Sequence, residues 1–123
     1  MRIVLATAIV LALAVPQGRV FAQTGAFGWG PNNARLTDRD YTLLGEAISG
    51  LNQSPKAAVG DTRSWTNPAS GNSGKVSIQG MSQRDGMPCH DLDYAVSFRG
   101  QPVPQGYHFT WCKVSGGAWK LVS

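Results

Sequence analysis

Leu92-Asp93-Tyr94-Ala95-Val96-Ser97-Phe98 and, beyond a Gly/Pro-rich stretch, Tyr107-His108-Phe109-Thr110-Trp111-Cys112 decide the fold. In both segments a large apolar residue occupies every second position. That is the period of a strand with one buried and one solvated face. With Gly100-Gln101 as the turn, Leu92 lies opposite Phe109, Tyr94 opposite Tyr107 and Phe98 opposite Val103. The same register sets Cys89 opposite Cys112, so the apolar face and the thiols select one pairing. Pro102 and Pro104 then fall early in the second strand, where a missing N–H suits an edge or a bulge. A longer loop from Gly100 to Gly106 with a shifted register is the alternative.

Cys89 and Cys112 are the only cysteines. A disulfide between them is expected in an oxidising compartment. It would close a loop of about 24 residues, worth roughly 3 kcal/mol on the chain-entropy model. A nucleophilic thiol beside His90 is the alternative. Adjacent strand residues point to opposite faces, which places His90 badly for activating Cys89. The two cysteines with His90 and His108 match no zinc-site spacing.

Working outward, Gly116-Gly117 turns the chain, and Trp119 and Leu121 close a short fifth strand. Upstream, Thr62–Thr66 and Lys75–Gln83 read as strands separated by the turn sequence Asn67-Pro68-Ala69-Ser70-Gly71. Asp85-Gly86 is a hairpin signal. Before Asp61 the period changes. Tyr41, Leu44, Ile48 and Leu51 form one helical stripe on a segment of about 14 residues. Thr37 and Asp40 stand as a capping box, with Leu36 and Tyr41 at staple positions, and Pro55 marks the stop. Gly45 and Gly50 weaken this helix by about 1 kcal/mol each, so packing must stabilise it. The expected class is α+β, an N-terminal helix on the aromatic face of a five-stranded antiparallel β-meander. Curling of these strands into a small barrel is the alternative.

Residues 1–22 read as a secretory signal peptide. Met1-Arg2 is charged, Ile3 to Val15 is apolar except for Thr7, and Val20-Phe21-Ala22 gives a small-x-small end. The apolar run is short for a membrane span of about 20 residues, and no second run of spanning length follows. The 123-residue chain carries a net charge of +4. Arg2 and Arg19 would leave with the signal, and the remaining basic residues are scattered. No phosphate-tracking stripe results, and no nucleic-acid partner is expected. Only 15% of residues are charged, which excludes a long solvated tail. Residues 23–35 form a Gly/Asn-rich arm that carries Phe27 and Trp29. These two either tuck back onto the domain or dock on a partner. Residues 36–123 make one small domain.

Ser64-Trp65-Thr66-Asn67-Pro68, Ser70-Gly71-Asn72-Ser73-Gly74, Pro88-Cys89, Trp111-Cys112 and Gly117-Ala118-Trp119 follow one another in a familiar order. The pattern resembles the seventeen-kilodalton surface-antigen family of bacterial outer membranes, from about Leu36 to Val122. The family-type anchors are Trp65, Asn67, Pro68, Gly71, Gly74, Gly117 and Trp119. The resemblance implies an envelope protein of Gram-negative bacteria, in the periplasm or at the outer membrane or cell surface, with an envelope protein as partner. It supplies no catalytic residues. No cysteine stands at the cleavage site to carry lipid, and the arm is too short for a glycine zipper, so a soluble variant is implied.

Asp93 and His108 face each other in the expected register, on the face away from the aromatics. Such a pair can serve acid–base chemistry, but no nucleophile in a familiar setting accompanies it, and a solvated cross-strand pair is the expectation. Asp91 and Asp93 are too few carboxylates for a cation cage. No phosphate loop, metal motif or nucleophile elbow occurs. No catalytic residue, cofactor or metal is therefore expected. A non-enzymatic envelope protein should leave an aromatic patch uncovered by the helix. A periplasmic lysozyme inhibitor should present a polar loop, either Asn67–Ser73 or Gly100–Gln105. A small hydrolase would use Asp93 and His108.

Overall fold

The computed structural model describes residues 36–123; the expected signal peptide, the arm, Phe27 and Trp29 lie outside the described residues. Helix α1 (Asp38–Asn52) precedes strands β1 (Thr62–Asn67), β2 (Asn72–Arg84), β3 (Met87–Ser97), β4 (Gln105–Lys113) and β5 (Trp119–Leu121). The strands form one antiparallel sheet in the order β1-β2-β3-β4-β5. Each strand pairs with its neighbours in sequence. The sheet curls as a half-barrel around the helix, and the class is α+β.

The capping box opens α1. The Asp40 N–H donates to Thr37 Oγ1 at 3.2 Å, and the Thr37 N–H donates to Asp40 Oδ2 at 2.8 Å. Leu44, Ala47, Ile48 and Leu51 are buried by α1, which packs mainly on β1 and β2. Opposite them lie Trp65, Val76, Ile78, Leu92, Tyr94, Val96 and Trp111. These are the alternate residues of each strand, so one face of the sheet and one stripe of the helix make the core.

The expected register of the third and fourth strands is present. Cys89 pairs with Cys112, Leu92 with Phe109, Asp93 with His108 and Tyr94 with Tyr107. Cys89 and Cys112 form a disulfide with Cα atoms 4.1 Å apart. The expected pairing of Phe98 with Val103 is corrected, because the ladder ends at Val96 and Gln105. The connection is longer than two residues. Gln101 N–H donates to Phe98 O at 3.0 Å to turn the chain, and Gly100 takes φ 76° there. Pro102 and Pro104 thus precede β4 and remove no ladder hydrogen bond.

Two further boundaries differ from expectation. β1 runs on to Asn67, and β2 begins at Asn72. Between them Gly71, at φ 76°, lets its N–H reach Asn67 O at 2.9 Å, which narrows the turn to four residues. β2 also contains a bulge at Gln79, between the pairs Ile78–Leu92 and Gly80–Asp91. A bulge strengthens local twist. After it, Met81 pairs with His90 and Ser82 with Cys89.

Candidate functional site

Asn67, Ser70 and Asn72 converge on one carboxylate, that of Asp40. Asp40 is fully buried. Its Oδ1 accepts from Asn67 Nδ2 at 2.7 Å and from Ser70 Oγ at 2.7 Å. Its Oδ2 accepts from Asn72 Nδ2 at 2.8 Å and from the Thr37 N–H. Burial alone pushes this carboxyl up; the bonds from Thr37, Asn72, Ser70 and Asn67 outweigh it and hold the pKa below the ordinary value. The first turn of α1 adds the positive end of the helix dipole. The sequence reading gave Asp40 only its capping role. The structure makes it the anchor that ties the helix to the β1–β2 turn.

Trp65 and Gly74 are cross-strand partners, and the indole lies flat over the glycine. A Cβ at Gly74 would stand 2.4 Å from Trp65 Nε1, so only glycine fits. Trp65, Asn67, Gly71 and Gly74 are thus scaffold. Pro68 lies exposed in the same turn. In the Asn67–Ser73 turn the Asn67 and Asn72 side chains are buried, while Pro68, Ala69 and Gly71 are exposed.

The other flank of α1 is different. The helix leaves a groove beside the β4–β5 end of the sheet, with a volume of about 420 Å³. Gly45, Ile48, Ser49 and Asn52 form one wall; Trp111, Ala118 and Trp119 form the other. Trp111 is fixed by donating its indole N–H to Tyr94 Oη at 2.7 Å. Trp119 is half-buried and stacks on His90, with ring centroids 4.4 Å apart. Gly117, with φ 92°, makes the turn that presents Ala118 and Trp119.

His90, on β3, does not line this groove; it lies beside Asn52 at the C-terminal end of α1. Its Nδ1 lies 2.9 Å from Asn52 Oδ1, as fits a neutral ring donating Nδ1–H. Burial lowers the His90 pKa. Asn52 Nδ2 is buried and lacks a partner among the described residues. Asn52 also borders a second, more polar hollow lined by Met81, Pro88, His90 and Lys113. His90 shares the strand parity of Leu92 and Tyr94, so its inward orientation was readable in the sequence, although its contacts were not.

Asp93 and His108 do meet, with Asp93 Oδ1 2.5 Å from His108 Nδ1. Both side chains are about half exposed, at 47% and 58%. They border a shallow open hollow with Lys75, Ser77 and Tyr107. Asp91 is engaged elsewhere, accepting from Thr110 Oγ1 at 2.6 Å. Cys89, His90 and His108 are not brought together: Cys89 is in the disulfide, His90 faces the helix and His108 faces solvent.

No protein-family model, curated protein or solved structure matches the chain.

Proposed function

We propose that this chain is a non-enzymatic, exported cell-envelope protein that acts by holding another envelope protein against the groove between α1 and β5. The resemblance to the seventeen-kilodalton surface antigens supports the compartment. The groove supports the mode of action: the helix covers β1 and β2 but leaves Trp111, Ala118 and Trp119 along an open, mainly apolar channel. Such a surface on a small domain suits protein contact. The disulfide and the Asp40 network hold its walls rigid.

A photo-crosslinking residue placed at Ser49 in the living cell tests this reading. Covalent capture of one envelope protein, lost when Trp119→Ser accompanies the probe and absent from a probe at Lys75, supports it. Equal capture from Ser49 and Lys75, or none from either, overturns it.

A lysozyme-inhibiting role is a second reading because Val103, in the Gly100–Gln105 stretch, is 64% exposed. Undiminished lysis by lysozyme in the presence of excess purified protein removes it.

A further inference from the structure

The groove between α1 and β5 adjoins a hollow of different character beside the last turn of the helix. The two share Asn52, Gln53 and Trp119 as walls. The groove holds about 420 Å³ and the hollow about 660 Å³, both within the size range of ligand sites. The groove is mainly apolar. The hollow is more polar, and Lys113 is the only Lys, Arg, Asp or Glu among its lining residues. Lys113 is exposed, and its side chain passes close to the Gly117 turn, with Cε 3.9 Å from where a Cβ would stand there. It makes no ion pair among the described residues.

The charges give this channel a direction. Glu46 is the only ionisable residue lining the groove, and it stands about 10 Å up the helix from Gln53. An anionic group is repelled at that end and attracted at the Lys113 end. The negative pole of the helix dipole faces the hollow from the α1 side, so the favourable place for an anion is the β4–β5 wall that carries Lys113. Between the two ends lies an unused donor. Asn52 is 4% exposed, its Oδ1 is engaged by His90 Nδ1, and its Nδ2 has no partner among the described residues. A buried donor of this kind calls for an acceptor oxygen. A hydrocarbon chain in the groove brings none to that depth, whereas a polypeptide brings a carbonyl at every residue. The helical wall from Thr42 to Gln53 spans about 16 Å, the length of about five extended residues.

We infer that the groove takes the C-terminal tail of a partner polypeptide, with apolar side chains against Trp111 and Trp119, a backbone carbonyl on Asn52 Nδ2 and the terminal carboxylate at Lys113. Capture of a chain end by its carboxylate is a recurring mode of peptide recognition. The inference rests on the envelope-partner reading above and adds the chemistry that selects the partner: a free C-terminus preceded by uncharged, apolar residues. An acidic side chain a few residues from the end would meet Glu46, and a blocked terminus would forfeit Lys113.

The test uses the purified, immobilised protein and an equimolar mixture of synthetic pentapeptides ending in Leu, Ile, Phe or Trp, each made both as the free acid and as the amide. Mass spectrometry of the retained fraction is expected to show the acids enriched several-fold over the amides. Lys113→Ala should abolish that preference, with an unchanged thermal midpoint showing that the domain stays folded. Lys75→Ala, in the hollow on the other face of the sheet, should leave the preference as it is. Trp119→Ser should reduce retention of both forms. Equal retention of acids and amides, no retention of either, or an acid preference that survives Lys113→Ala overturns the inference. Dodecanoate is tested in place of the peptides. Binding of dodecanoate with no peptide retained makes the occupant an amphiphile and also overturns it. Capture of a partner from Ser49 in cells is scored independently. Capture there without an acid preference removes the chain-end recognition and leaves the envelope reading standing; an acid preference without capture in cells leaves the peptide site and removes the envelope partner.

Discussion

Asn67 donates its side-chain amide to the buried Asp40 carboxylate at 2.7 Å, across 27 positions of sequence. That bond joins the first turn of the helix to the first turn of the sheet. Ser70 and Asn72 complete the cradle. A lone buried carboxylate is tolerated here because four donors and the helix N-terminus replace its water. Asn67→Ala is expected to lower stability by about 1.5–3 kcal/mol, the range for a hydrogen bond to a charged group. Asp40→Asn should cost at least as much, since its new NH₂ would point at existing donors. Urea unfolding curves of the three proteins measure both.

Two groups give the domain a pH dependence with separate windows. The folded pKa of Asp40 lies below 3.8, so its contribution is fully present above that value and is lost as pH falls through the folded pKa. His90 also has a lowered folded pKa, against 6.5 when exposed. Below 6.5 the unfolded chain takes up a proton that the folded chain refuses, so stability declines until the folded pKa is reached. Denaturation midpoints from pH 8 downward should therefore start to fall near 6.5. His90→Gln should remove that first decline and keep the more acidic one. Asp40→Asn should do the opposite.

Gly74→Ala should be destabilising, by about 1–3 kcal/mol for a methyl forced into an occupied site. The added Cβ collides with the Trp65 indole rather than with backbone. Trp65→Leu in the same chain should therefore recover part of the loss. A double-mutant cycle on thermal midpoints reads the coupling. Simple additivity would show that the indole is not the obstacle.

Reducing the Cys89–Cys112 bridge should cost about 3 kcal/mol, from the entropy of the loop it closes. Comparison of oxidised and reduced protein by urea unfolding measures it. The strands on either side retain their ladder, so a shift in midpoint with a folded baseline is expected.

The strand pair that opened the reading was legible because two constraints, the alternation of apolar residues and the thiol positions, selected one register. The Asp85-Gly86 turn was legible for a local reason: both residues hold positive φ, at 49° and 79°. The Asp40 cradle was not legible. The capping box already accounts for a carboxylate at that helix position, and nothing nearby marks it as buried. Its three side-chain donors lie 27–32 residues away. The bulge at Gln79 was missed because one extra residue leaves little trace in a polar stretch of alternating pattern. The groove was hidden for a related reason. Its existence depends on which strands the helix covers, and that depends on how far the sheet curls. Trp119 could be read as core or edge, but not as one wall of an open channel.

The strictly sequential order of the sheet has a consequence for how the covalent structure is completed. Both cysteines sit on one hairpin, directly opposite each other, and the chain has no third sulfhydryl to mislead them. Once β3 and β4 zip, the sulfurs are already adjacent, whether or not the helix has docked. A simple oxidant should therefore finish maturation in one step, with no shuffling enzyme required.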